Sequence, residues 1–166
     1  GGSYKMQFNF QGASGINLQK QSPEFSSNFK NQNATNGAAS FFAGIGIPTV
    51  SGTGHTFTIN HVGFKLTRTT TTWSLFATQA DGTTENASAA MLTGIADGEL
   101  VYFYLQVNGT ASVDYYYAYN GGAWSAATNL TSNLSTADII SLQWSIANDS
   151  TNVQANARVQ TFHYAR

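Results

Sequence analysis

The residues of this chain best equipped for chemistry are aromatic. Val113–Leu130 reads VDYYYAYNGGAWSAATNL, setting Tyr115, Tyr116, Tyr117, Tyr119 and Trp124 around an Asn120-Gly121-Gly122 turn, with Asp114 as its one carboxylate. The chemistry open to such a stretch is contact, not bond making, because Tyr and Trp join a large apolar face to a polar tip, as a wet binding surface requires. Side chains alternate along a strand, so Val113, Tyr115, Tyr117 and Tyr119 share one face and Asp114, Tyr116, Ala118 and Asn120 the other. Asn and Gly tolerate the positive φ of a tight hairpin, and a strand is expected to return through Trp124. In Leu100–Asn108 the apolar face is Val101, Phe103, Leu105 and Val107, which leaves Tyr102, Tyr104 and Gln106 on the opposite one. Tyr102, Tyr104, Tyr116 and Trp124 are therefore the candidate ligand-binding residues, a stripe running across neighbouring strands.

Bond-making chemistry is poorly supplied. The chain has eight acidic residues, and glycoside hydrolysis needs two carboxyl groups roughly 5–10 Å apart with one held protonated. Asp97 and Glu99 bracket Gly98 in a turn, and Asp81 and Glu85 flank Gly82-Thr83-Thr84 in another. Turns of this composition face water. No residue is assigned as catalytic, and the chain is expected not to be an enzyme. His55, His61 and His163 are scattered and there is no cysteine, so no zinc site is expected; His61 and His163 are expected to hydrogen-bond on a sheet face. Calcium is the one ion with candidate oxygen ligands, at Asp81, Glu85 and the Asn148-Asp149-Ser150 turn. Ordinary turn-forming side chains account for these positions better, and the expectation is no cofactor. Gly44-Ile45-Gly46-Ile47-Pro48 lacks the lysine and following helix of a phosphate loop.

Composition narrows the class. Charged residues make up 9% of the chain and the net charge is −1, against roughly a quarter charged in an ordinary soluble domain. A near-neutral surface with no Lys/Arg cluster excludes nucleic acid as a partner, and no apolar run approaches the ~20 residues of a membrane span. At 166 residues the chain fits one domain. Gly1-Gly2-Ser3 is expected to be a remnant of expression engineering, leaving 4–166 as a single β-sandwich. Abundant Ser, Thr, Asn and Gly disfavour helix and favour strands and turns.

Strands are expected at Met6–Phe10, Ser40–Ala43, Thr56–Leu66, Trp73–Gln79, Leu100–Asn108, Val113–Asn120, Ile139–Ala147 and Val159–Tyr164. Short strands with no amphipathic helix imply an all-β, antiparallel two-sheet sandwich or jelly roll. Val62, Phe64 and Leu66 oppose His61, Gly63 and Lys65; Ile140, Leu142, Trp144 and Ile146 oppose Ser141, Gln143, Ser145 and Ala147. Each apolar set is expected in the core and each opposing set in water. Gln11–Asn36 shows no periodicity and reads as irregular, with Phe25 and Phe29 pinning it to a sheet. Thr69–Thr72 reads as a hairpin tip, and Ser135–Asp138 as a helical turn or a loop.

The segments His61–Leu66 (HVGFKL), Leu75–Glu85 (LFATQADGTTE) and Leu130–Leu134 resemble a module of bacteriophage virion and tail-fibre proteins with a concanavalin A-like (lectin/glucanase) jelly roll. The resemblance spans roughly residues 60–148. It implies an antiparallel sandwich on a virion surface or in an extracellular setting, engaging glycans. The metal-site acids of legume lectins and the paired carboxylates of the glucanases have no counterpart here, so no catalytic or metal position is carried over. The expected function is a non-enzymatic structural or adhesion module with weak glycan or host-surface binding. The alternative is a purely structural capsid-decorating or fibre-oligomerising domain whose aromatic stripe is a subunit interface. Expected partners are accordingly a cell-surface glycan, another virion protein, or further copies of the chain.

Overall fold

The computed structural model describes residues 2–9, 15–33, 38–51, 54–69, 71–139, 141–148 and 154–163. The elements in chain order are β1 (Gly2–Asn9), β2 (Ile16–Asn17), α1 (Leu18–Gln21), β3 (Glu24–Asn33), β4 (Ala39–Gly46), β5 (Thr49–Ser51), β6 (Gly54–Thr56), β7 (His61–Arg68) and β8 (Trp73–Ala80). There follow β9 (Glu85–Ala87), β10 (Leu92–Ile95), β11 (Leu100–Asn108), β12 (Ser112–Tyr119), β13 (Thr128–Leu130), β14 (Asp138–Ile139), β15 (Ser141–Asn148) and β16 (Gln154–His163). A seven-stranded sheet runs β1-β15-β4-β7-β8-β10, with β9 also on β8, and a five-stranded sheet runs β13-β12-β11-β3-β16. All pairings in both are antiparallel. The protein is an all-β, antiparallel two-sheet sandwich. Gly2 and Ser3 pair with Asn148 and Ala147 as the first rungs of β1. Among the described residues no helix is long and apolar enough to cross a membrane.

Aromatic rings from the two sheets interlock. Phe25 of β3 meets Trp144 of β15 at 5.5 Å between centroids, Phe29 meets Phe41 and Trp73 at 4.9 Å each, and Phe64 meets Phe103 at 4.8 Å and Tyr115 at 5.3 Å. Hydrogen bonds cross the same interface: Trp144 Nε1 donates to Ser27 Oγ (2.9 Å), and the Tyr115 hydroxyl is shared between the Thr78 carbonyl (3.1 Å) and Gln79 Oε1 (3.2 Å). Val62, Phe64, Leu66, Leu142, Trp144, Ile146, Val101, Phe103, Leu105 and Val107 are buried as expected; Ile140 lies outside the described residues. Thr69, Thr71 and Thr72 lie between the paired ends of β7 and β8, at the place of the expected tip; Thr70 lies outside the described residues.

Two expectations are corrected. Gln11–Asn36 is not irregular throughout: it holds β2, α1 and β3, and β3 lies inside the five-stranded sheet between β11 and β16. Its inward face is Phe25, Ser27 and Phe29, and Ser27 hides the alternation by being polar, although its hydroxyl is used by the Trp144 indole. Among the described residues the one helical turn is α1, begun by the Asn17 side chain accepting from Lys20 N, whereas Ser135–Ala137 is a loop in which Ser135 Oγ donates to Asn60 Oδ1 at 2.8 Å.

The second correction concerns the outer face of the seven-stranded sheet. His61, Gly63, Ser141, Gln143, Ser145 and Ala147, expected in water, are buried, and Lys65 is half-buried. The expected strand Thr56–Leu66 breaks after Thr56, and the β5–β6 ribbon together with Phe57–Asn60 covers this face. Underneath, Phe42 packs on Phe57 (5.9 Å) and edge-on to His61 (5.6 Å), while His55 stacks on Phe57 at 5.5 Å. A Cβ at Gly44 would lie 2.9 Å from Phe42 Cζ and 2.4 Å from the Val62 carbonyl oxygen; one at Gly63 would lie 2.8 Å from Phe42 Cε2 and 2.5 Å from the Ala43 oxygen. Gln143 Nε2 donates to the Pro48 carbonyl (3.0 Å) and to Ser145 Oγ (2.8 Å), tying the covering segment to β15.

Trp144→Ala should lower the unfolding free energy by roughly 3–5 kcal/mol in a denaturant titration, through the cavity it leaves. Gly44→Ala should cost about 2 kcal/mol or more, since the atoms in its way are mainly backbone and cannot rotate aside. A loss under about 0.5 kcal/mol at Gly44, the level of a surface substitution, would show that the outer face is not closed.

Candidate functional site

The register between β11 and β12 pairs Tyr104 with Tyr116, Tyr102 with Ala118 and Gln106 with Asp114. On the other side of β11, β3 places Ser26 opposite Tyr104, Asn28 opposite Tyr102 and Glu24 opposite Gln106. Directly opposed residues share a face, so these side chains form the outer surface of the five-stranded sheet. Tyr104 and Tyr116 have ring centroids 5.7 Å apart, and Trp124 stands against Tyr104 at 6.3 Å and 68°. Three of the four candidate residues are thereby brought together, with Tyr102 one pair further along the same face. The three tyrosines are half-buried and Trp124 is 53% exposed, the largest exposure of a large apolar side chain among the described residues.

Trp124 is not carried by a returning strand, as the sequence implied. Asn120 (φ 47°) and Gly121 (φ 76°) make the expected turn with both positive φ values, and Asn120 Oδ1 accepts from Leu100 N at 2.9 Å. After it the chain touches β12 through a single bridge, Ala118 to Trp124, fixed beside Tyr117 by the bonds Ser125 N to Tyr117 O (2.7 Å) and Tyr117 N to Ser125 Oγ (3.1 Å). Regular pairing resumes only at β13. Tyr117 and Tyr119 lie on the inward face, partly buried against the core.

Polar groups ring the aromatic cluster. Burial first, then the negative charge and hydrogen bond of Glu24, push the Tyr104 hydroxyl up to about 12. Asp114 accepts from Asn108 Nδ2 at 2.7 Å and from Asn129 Nδ2 at 2.6 Å. Glu99 is held below the ordinary carboxylate range by the Tyr119 hydroxyl and the Ala96 amide.

The other candidates have structural partners. Asp81 Oδ1 accepts from Thr83 N (2.9 Å), Thr83 Oγ1 (2.7 Å) and Thr84 N (3.0 Å), which depresses its pKa and makes the turn. Glu85 is not a simple water-facing turn residue: it is half-buried, with Lys65 Nζ at 2.5 Å and Thr78 Oγ1 at 2.8 Å. Asp97 lies 3.8 Å from Arg68 Nη2. His61 bonds on the sheet face as expected, to Thr78 Oγ1 (2.9 Å) and the Ile59 carbonyl (2.7 Å). His163 belongs to β16, in register with Glu24, and Asp149 lies outside the described residues. Sequence reasoning missed His55, whose ring spans Ser40 Oγ and Ser145 Oγ, the latter at 2.7 Å; a histidine two residues from Phe57 carried no periodic signal. Among the described residues no three His, Asp or Glu side chains converge on a metal position.

No protein-family model matches the chain, and no curated protein sequence does. Several solved structures are similar in shape. Scytalido-glutamic peptidase, bound to a peptide-based transition-state analogue, matches over 96% of this chain and 74% of its own with 11% identity and a TM-score of 0.50. A carbohydrate esterase from the Shiga toxin-encoding bacteriophage phi24B matches over 97% and 77% with 16% identity and a TM-score of 0.47. CG-16, a homodimeric agglutinin from chicken liver, matches over 98% and 100% with 10% identity and a TM-score of 0.42. The likeness to the peptidase is one of fold, the two-sheet antiparallel sandwich.

Burial lowers His55 and His61 from an ordinary 6.5 to about 4. The folded state therefore binds these protons less readily than the unfolded chain, so the full contribution holds above about pH 6.5 and is lost as pH falls toward 4. Unfolding free energy should fall by roughly 2–3 kcal/mol per histidine over that window, and His61→Gln should flatten the profile. Stability that stays constant from pH 7 to pH 4.5 would contradict neutral, buried rings.

Proposed function

We propose that the chain is a non-enzymatic adhesion module of a phage-like particle, displayed on a virion or extracellular surface, that binds glycans weakly through Tyr102, Tyr104, Tyr116 and Trp124. The observation that carries this reading is the exposed Trp124 indole standing against Tyr104, which is itself paired with Tyr116. Aromatic faces stack on the apolar faces of sugar rings, and Gln106, Asn129 and Asp114 on the same face offer hydrogen bonds to hydroxyls. A shallow site of this kind binds weakly alone and gains strength by display in many copies. The phage context is supported by the resemblance of His61–Leu66 and Leu75–Glu85. The non-enzymatic reading is supported by the described carboxylates, which are engaged in turns, ion pairs and hydrogen bonds instead of facing one another across a cleft.

The same exposed ring supports one rival, a purely structural role in which the patch is a subunit interface, since exposed apolar surface marks partners as readily as ligands. Light scattering separates them: a monomer leaves Trp124 free, whereas a tight oligomer with Trp124 shielded from quenchers favours the rival.

Trp124→Ala should leave the melting temperature within about 2 °C of the parent, as for a surface substitution, and weaken binding on a glycan array at least about tenfold, as loss of a central aromatic anchor does. Tyr104→Ser with Tyr116→Ser should abolish it. Binding that persists in the folded double variant would remove the stripe from consideration and direct attention to Asp81–Glu85.

A further inference from the structure

We infer that the aromatic patch selects for positive charge, taking glycans that carry free ammonium groups, such as glucosamine oligomers, ahead of N-acetylated and anionic ones. This rests on the glycan-binding reading above and adds the ligand class. The π faces of Tyr104, Tyr116 and Trp124 are regions of negative potential, and a cation within about 6 Å of such a ring is attracted to it. Two carboxylates reinforce them on the same sheet face. Glu24 is held against the Tyr104 hydroxyl, and Asp114 is one pair along from Tyr104 and Tyr116. The described partners of Asp114 are the neutral amides of Asn108 and Asn129, at 2.7 and 2.6 Å, which orient the carboxylate without cancelling its charge.

Counter-charge is placed elsewhere, with the exception of His163 of β16, which is in register with Glu24; Asp114 has no such neighbour in register. Among the described residues the ion pairs are Lys65 with Glu85 and Arg68 with Asp97, both involving β7 of the other sheet. On the five-stranded sheet, Lys30 is registered opposite Leu100, four residues along β3 from Ser26 and so roughly 13 Å away at ~3.3 Å per residue. Arg158 is registered opposite Asn28 on β16, three strands from β12 and so roughly 14 Å away at ~4.8 Å per strand. The part of the patch nearest Tyr116 and Asp114 is thus electronegative, while a carboxylated or sulfated glycan would meet two like charges and three π faces.

The test is titration of the purified chain with tetramers of glucosamine, N-acetylglucosamine and galacturonate at pH 6, followed by calorimetry. The glucosamine tetramer should bind roughly fivefold more tightly than its N-acetylated counterpart, the scale of one cation over an exposed ring. Added salt should erode the preference, and Glu24→Gln and Asp114→Asn should each reduce it. Thermal melts confirm folding, and Glu24→Gln carries the test if Asp114→Asn is unstable. Equal or tighter binding of the N-acetylated or galacturonate tetramer, abolished by Trp124→Ala, would overturn the charge selection and leave the glycan reading standing. Binding of no tetramer, with no other glycan retained on an array, would overturn both.

Discussion

The Phe42 ring rests against Gly44 and Gly63 at a separation that a side chain at either position would forbid. Upon it lie Phe57 and His61, with His55 stacked behind. Antiparallel sheets commonly keep one face in water, but this packing gives the central strands β4 and β7 apolar cover on both sides. Most polar groups drawn in with the rings find partners: His61 in Thr78 and Ile59, His55 in Ser40 and Ser145, and Gln143 Nε2 in Pro48, while Gln143 Oε1 is buried without one. Low charge content follows, because a strand buried on both faces has few positions at which a charge can reach water.

Closing that face determines where a ligand can meet the protein. Lys65 and Glu85 at the margin of the covered region are committed to each other, with Lys65 also 5.0 Å from the Phe57 ring. The five-stranded sheet carries no comparable ribbon of described residues, and its inner strands β11 and β12 present Tyr104 and Tyr116 outward, with Trp124 bridged beside them. Their inward neighbours Phe103, Leu105, Val113 and Tyr115 are fully buried, so the platform is held by the main core. Rings anchored this way lose little further freedom on binding, which favours contact affinity from a flat surface.

The sandwich was legible in the sequence wherever one face was apolar and the other was not. Leu100–Asn108 and the tyrosine strand after it announced their bounds, their turn and their faces, because period-two patterning and Asn-Gly turn chemistry act locally. The outer face of β7 and β15 was misread because Ser, Gln and His beside apolar neighbours look like water-facing positions; what buries them is a segment from elsewhere in the chain. β3 escaped notice because Ser27 interrupts its inward face, and the Trp144 indole that compensates lies 117 residues away. Trp124 was assigned to the right face, but not the single bridge that holds it. The paired tyrosines were readable from register, whereas the carboxylates that colour the site electrically depend on Glu24, on a strand that patterning hid.

Whether ligand meets the outer face of β11 and β12 is read most directly by nuclear magnetic resonance mapping of a glycan titration on the isotope-labelled chain. Shifts should concentrate at the Trp124 indole, the Tyr104 and Tyr116 rings and the Asn129 side-chain amide, with Trp73 and Trp144 unmoved. Shifts concentrated instead at Asp81–Glu85 or on the segment covering the seven-stranded sheet would contradict contact at that face.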